Sequence, residues 1–353
     1  MSIVFAILIF GFLVFIHELG HFAAAKLSGV QVNEFAVFMG PAIVKWKRGE
    51  TQYSIRLIPF GGYCAMEGED SETENPRSFQ KAAWWKRLII LIAGSAMNFA
   101  AGIGIYAALF LPEEQVVVPQ ISQFMDCCIF NGEDGLQLGD EILEIDGEKV
   151  YINGDISTLL GFNPTGVHDL VVRRDDEILN FEDFPMTHTH TNEDGTEYLH
   201  YGFGFGVAKD ADLTDKLDYI WSISRDNVRL IRLSLQMLVT GRAGFADVTG
   251  PVGIVSQMSQ IAQESDTTEI AIWNLLSMGA FIAINLAVMN LLPIPAFDGG
   301  RVLGLLLTTA IETITRKKVN PKIEGYIHGA GFVLLLILMA VIMFKDIFTI
   351  FKG

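Results

Sequence analysis

The sequence predicts a polytopic α-helical membrane protein of about four transmembrane helices, with a membrane-associated β-hairpin region and one inserted β-rich domain. Half of the 353 residues are hydrophobic and only 19% are charged, an apolar balance beyond that of ordinary soluble domains. Four stretches are long and apolar enough to cross a bilayer, which takes about 20 residues: Ile3 to Lys26, Leu88 to Leu111, Ile270 to Leu292 and Gly329 to Phe348. The net charge of −16 is also segregated, with 22 acidic and 4 basic residues between Pro112 and Asp212.

These features divide the chain into four regions. Residues 1–111 form the first half of a membrane core, 112–212 an extracytoplasmic domain, 213–269 an amphipathic linker region, and 270–353 the second half of the core. In the first span Ala23-Ala24-Ala25 resembles a signal-peptide cleavage site. No positive residue precedes the apolar stretch, however, and cleavage would discard a polar cluster, so the segment reads as a retained span. From Glu34 to Cys64, short apolar or alternating runs are separated by Gly40-Pro41, Arg48-Gly49-Glu50 and Gly61-Gly62. That pattern predicts β-hairpins, and their apolar content between two spans predicts a sheet leaning into the cytoplasmic edge of the bilayer.

Within the acidic region, "GLQLGDEILEIDGEKV" (Gly135 to Val150) places Gly-Asp before a strand and Asp146-Gly147 at a turn. On spacing alone this is a small β-rich domain; the stretch resembles the core of a PDZ domain, whose usual role is to add an extended peptide at a sheet edge. Beyond it, Arg225, Arg229 and Arg232 form a basic stripe opposite Val228, Ile231, Leu235 and Leu238. Such a helix either lies flat on a membrane or packs on the domain.

The loop from Lys26 to Arg87 holds nine basic residues against seven acidic ones, and Arg301, Arg316, Lys317, Lys318 and Lys322 lie between the last two spans. The positive-inside rule puts these loops in the cytoplasm and the acidic domain outside, with both termini outside as well. Nucleic acid is excluded as a partner of the acidic domain, because phosphates would be repelled. Cys64, Cys127 and Cys128 make no disulfide framework. His188, His190 and His200 read as part of a solvated loop, and His168 and His328 have no partner at a useful spacing.

The chemistry concentrates in the first span. In "FLVFIHELGHFAAAKL" (Phe12 to Leu27) His17 and His21 are four residues apart and share one helix face, so both imidazoles reach one metal ion while Glu18 lies beside it. Ionisable residues at the bilayer centre cost about 2.5–3.5 kcal/mol each and need a partner; zinc is such a partner. Two histidines leave tetrahedral zinc short of a third protein ligand, the fourth position being kept for water. "NLLPIPAFDGGRVL" (Asn290 to Leu303) places Asp298 beyond Pro293 and Pro295, at the inner end of the third span. His17 and His21 lie roughly 22–30 Å along the first, so the three meet near the cytoplasmic side.

Together His17-Glu18-Leu19-Gly20-His21, Asn290-x-x-Pro293 through Asp298-Gly299, Gly94 to Asn98, the PDZ-like core and Gly250 to Ile254 ("GPVGI") resemble, in order, the site-2 protease family of intramembrane zinc proteases, in its bacterial single-PDZ branch. The resemblance implies one zinc held by His17, His21 and Asp298, Glu18 as general base, Asn290 and Pro293 as substrate-binding residues, and Gly94 and Asn98 as site-lining residues. It implies cleavage in or near the spans of single-span membrane proteins, such as anti-sigma factors or remnant signal peptides, with a PDZ groove that takes a peptide or gates access. Ser95 stands where the family usually has Pro. The alternatives are an inactive PDZ-bearing scaffold, against which the intact polar set argues, and a metal transporter. The latter needs polar residues continuing through the membrane, and the second and fourth spans offer few.

Overall fold

The computed structural model describes residues 2–69, 73–125, 135–163, 165–191, 197–244, 247–316 and 321–352. The chain forms two compact units, Met1–Tyr106 with Leu230–Gly353, and Ala107–Arg229.

The first unit contains α1 (Ser2–Ser28), β1 (Val32–Arg48), β2 (Thr51–Met66) and most of α2 (Trp84–Phe110). Its other contribution is from the C-terminal part of the chain, whose complete helices are α5 (Pro251–Glu264), α6 (Thr268–Asn290), α7 (Asp298–Thr315) and α8 (Pro321–Lys352). Among the described residues four helices are long and apolar enough to cross a membrane: Phe5–Ser28, Trp84–Phe110, Thr268–Asn290 and Gly325–Thr349. Each lies within a few residues of the span expected from sequence, because a run of apolar side chains marks a spanning helix without help from tertiary contacts.

α1 joins the two halves of this unit. Its N-terminal half buries Ala6 against Met258 and Leu275, and Leu13 against Ile282 and Ala283. Its C-terminal half packs Ala24 and Ala25 with Phe35, Cys64, Ile90, Leu91 and Leu305. At Gly20 α1 comes so close to α2 that a Cβ would lie 2.9 Å from Met97 Cγ and nearer still to the Ala93 carbonyl. The start of α5 is tied to α8: the buried Asp346 accepts hydrogen bonds from the backbone of Gly250 (3.0 Å) and Gly253 (2.9 Å). "GPVGI" therefore serves as a helix start capped from another helix.

The sequence between α1 and α2 was expected to form several short hairpins. The register bears this out within the two continuous extended segments β1 and β2: besides the turn at Gly49, the chain reverses direction near Gly40 and Gly61, both with positive φ. Residues 34–37 thereby pair with both 52–55 and 62–65.

The second unit contains β3 (Gln115–Phe124), β4 (Glu141–Ile145), β5 (Glu148–Lys149), α3 (Asn153–Phe162), β6 (Val167–Arg174) and β7 (Glu177–Pro185). β8 (His188–Thr191), β9 (Glu197–His200), β10 (Phe203–Asp210) and the first part of α4 (Leu213–Val239) complete it. The main sheet has the order β10-β3-β4-β6-β7, with β5 added on β4. His188 and His200 are opposite each other in the separate β8-β9 ribbon, so a loop is the wrong description of that segment. His168, expected to lack a partner, is buried with Nδ1 2.9 Å from Asp146 Oδ2. Cys127 and Cys128 lie outside the described residues.

The basic stripe of α4 is also redefined. Arg229 is buried, with Nη2 2.7 Å from Asp155 and also paired to Asp226, while Nη1 donates to the Lys149 carbonyl. Arg225 and Arg229 both stack on Tyr151. Arg229 is thus a link within the domain and no part of a lipid-facing stripe.

Burial, and then the neighbouring Asp155, pushes the Asp226 carboxyl above the usual carboxylate range. The folded state therefore keeps this proton at pH values where the unfolded chain, near 3.8, has released it. Stability from this group falls as pH rises toward neutrality. The melting temperature of the full chain is expected to fall between about pH 5 and about pH 8, and Asp226→Asn to flatten that decline; a wild-type slope in the variant would rule Asp226 out as its source.

Candidate metal centre

The helical period of α1 stacks His17 and His21 with ring centroids 4.8 Å apart and planes at 83°. Their Nε2 atoms are 3.2 Å apart, and Asp298 Oδ2 lies 3.2 Å from His17 Nε2 and 3.3 Å from His21 Nε2. Among the described residues this is the group of His, Cys, Asp and Glu side chains that offers donor atoms to one point.

Asp298 reaches that position because the α6–α7 connection doubles back tightly. Ala296 has φ +87°, and Gly299 and Gly300 press so closely on the carbonyls of Leu291, Leu292 and Ile294 that neither has room for a side chain. Asp298 is the first residue of α7, where the helix N-terminus favours a carboxylate.

The three donor atoms fit zinc. They form a nearly equilateral triangle, and tetrahedral ligands bonded at about 2.0–2.1 Å stand about 3.3 Å from one another. Asp298 Oδ2 is shielded yet has no aligned hydrogen bond, which is the condition of a carboxylate oxygen directed at a cation. His21 Nδ1 lies 2.8 Å from the Ile90 carbonyl, an acceptor only, so that nitrogen holds the proton and Nε2 is left bare toward the triangle. α2 closes the back: a Cβ on Gly94 would lie 2.8 Å from Cε1 of both rings, and Asn98 Nδ2 is 3.5 Å from His17 Nδ1.

In front of the triangle opens a cavity of about 540 Å³ that Glu18 lines together with Tyr63, Glu67, Glu69 and Arg301. Neither Asn290, the last residue of α6, nor Pro293 in the following connection is among its lining residues. Sequence reasoning missed Tyr63, Glu67, Glu69 and Arg301 as wall residues. Arg301, one helical turn past Asp298, pairs with Glu69 across the cavity. Its spacing from Asp298 was the available signal, since residues three apart on a helix share a face.

The hairpin wall is held by its own charges. Glu34 Oε1 accepts from Arg56 Nη2 (2.8 Å) and Ser54 Oγ (2.8 Å), and Arg56 also bonds the Tyr63 hydroxyl. Burial alone would raise the Glu34 carboxyl, but these donors, Arg56 foremost, bring it down to about 2. Burial pushes the Cys64 thiol up, so it stays protonated beside the cavity.

A family model described as peptidase family M50 matches residues 5–338. The chain belongs to that family. A Clostridium perfringens protein whose name assigns it provisionally to the zinc metalloproteases is 34% identical over 98% of both chains. The regulator of sigma-W protease RasP of Bacillus subtilis is 29% identical over 99% of both, and zinc metalloprotease RasP of Oceanobacillus iheyensis 28% over 99% of both. M50 is the site-2 protease family that the motifs resemble, and membership makes the chain a peptidase. With four helices long and apolar enough to span a bilayer among the described residues, this M50 peptidase is a multi-pass protein of the cell membrane.

Proposed function

We propose that this M50 peptidase is an intramembrane zinc endopeptidase that hydrolyses peptide bonds in or near the spans of membrane proteins. The observation that carries the reading is the triangle of His17, His21 and Asp298 donors, two of them within a helix long enough to span the bilayer.

The cofactor is zinc, one per chain, with His17, His21 and Asp298 as ligands. Bound there, zinc supplies Lewis acidity toward a carbonyl and makes water a stronger acid. Glu18, on the cavity wall beside the ligands, takes a proton from the attacking water and returns it to the leaving amine. Gly94 and Asn98 line the back of the site, and Asn290 and Pro293 contact the substrate at the α6–α7 connection. A substrate helix hides its carbonyls in internal hydrogen bonds, so it unwinds before cleavage. The edge of the β1-β2 sheet holds the unwound segment by strand addition. The exposed Ile43, Trp46, Leu57 and Ile58 of that sheet face lipid at the cytoplasmic edge of the bilayer.

The substrates are single-span proteins such as anti-sigma factors or remnant signal peptides, a class in keeping with the relative named as a regulator of sigma-W. Residues 112–212 form an extracytoplasmic PDZ-like domain that screens them by binding a peptide or gating access; residues 213–269 link it back to the membrane core. Both termini are extracytoplasmic.

Metal analysis of the purified protein tests the ligand set. Wild type is expected to hold about one zinc per chain, and His17→Ala and Asp298→Ala to lose it together with cleavage of a single-span substrate. Full zinc in both variants would remove the assignment. A scaffold would bind such substrates uncut, and a transporter would move metal into vesicles with no cleavage.

A further inference from the structure

We infer that Asn98 is a positioning residue of the metal centre: its carboxamide oxygen accepts the Nδ1–H of His17 and so holds the ring with Nε2 bare toward His21 and Asp298. The inference rests on the ligand reading above.

The argument starts from His17. Its Nε2 stands 3.2 Å from both His21 Nε2 and Asp298 Oδ2, so as a ligand it must keep that nitrogen unprotonated. A neutral imidazole has one proton, and it then sits on Nδ1, which becomes a donor in need of an acceptor. His21 meets the same need with the Ile90 carbonyl at 2.8 Å. The group that faces His17 Nδ1 is the side chain of Asn98, at 3.5 Å.

Asn98 is 1% exposed, and its Oδ1 is shielded with no hydrogen-bond partner, a condition that costs about 1–3 kcal/mol. A carboxamide turned by half a revolution fills the same space with oxygen and nitrogen exchanged. Turned that way, Asn98 presents Oδ1 to the His17 N–H and ends the opposition of two donors. The Nδ2 group then replaces the oxygen on the shielded side. One turn of the amide thus gives a use to the orphaned Asn98 oxygen.

The test is the zinc affinity of the full-length protein in detergent, by competition with a chromophoric chelator. Asn98→Asp keeps an acceptor and removes the donor; Asn98→Leu keeps the approximate volume and removes both. Asn98→Asp is expected to bind zinc about as tightly as wild type, and Asn98→Leu about 10- to 100-fold more weakly. Wild-type affinity in Asn98→Leu, or an equal loss in both variants, overturns the inference. If Asn98→Leu does not fold, as judged by gel filtration, Asn98→Asp decides alone: retained affinity supports the role and lost affinity overturns it. His17→Ala separates the two levels. Wild-type affinity there removes the ligand reading and this inference with it, whereas loss in His17→Ala beside full affinity in Asn98→Leu removes only the role of Asn98.

Discussion

Glu18→Gln is expected to lower kcat on a single-span substrate by about 10²- to 10⁴-fold, roughly 3 to 5 kcal/mol of barrier, while zinc content stays at the wild-type level. The substitution is nearly isosteric. Glu18 lines the cavity in front of the triangle but supplies none of its three donor atoms. Its Cγ packs within 3.0 Å of where a Cβ on Gly62 would lie, so the wall has little spare room and a side chain of another shape would confuse lost chemistry with repacking. Glutamine keeps the shape and removes only the capacity to take a proton from water. Zinc content measured beside kcat separates a lost base from a lost metal. If Glu18→Gln cleaves at the wild-type rate with zinc bound, another group is the base, and Glu67 and Glu69 on the same wall become the candidates. A variant that loses zinc as well would place Glu18 among the groups that hold the site together.

Parts of this architecture that depend on local pattern were legible in the sequence. The four spans follow from apolar runs, and the meeting of His17 with His21 follows from a spacing of four on a helix. The approach of Asp298 was accessible by counting residues inward from the opposite face of the bilayer, since helical rise converts number into depth. What the sequence hid depends on how distant segments fold back. Tyr63, Glu67 and Glu69 reach the cavity only because the chain turns back near Gly61 and residues 62–65 pair with 34–37, a register that no single stretch announces. Whether the stripe carrying Arg229 faced a membrane or the domain stayed open, because nothing in the spacing of α4 announces Asp155 on α3 as its partner. His168 and Asp146 are likewise brought together by strand pairing across 22 residues. Side chains whose partners lie on another element leave no periodic mark in their own.

Gly94→Ala is expected to weaken zinc binding and to reduce activity by at least about 100-fold, although alanine is the better helix former by about 1 kcal/mol. The added methyl would lie 2.8 Å from Cε1 of both His17 and His21, and closer to the Nε2 of His21. Neither ring has an easy retreat. His21 is anchored through Nδ1 to the Ile90 carbonyl on α2 itself, and α1 is held against α2 at Gly20, where a side chain would meet the Ala93 backbone. The displacement therefore falls on the donor triangle, whose edges already match tetrahedral ligation and would be lengthened by a shift of either ring. Gly104→Ala is the control. It lies on the same helix with nothing within 4 Å of its Cβ, so the same gain in propensity comes with no ring to displace, and zinc binding and activity should match wild type. Equal zinc affinity in Gly94→Ala and Gly104→Ala would mean that the two rings stand farther from α2 in the working protein than this packing requires.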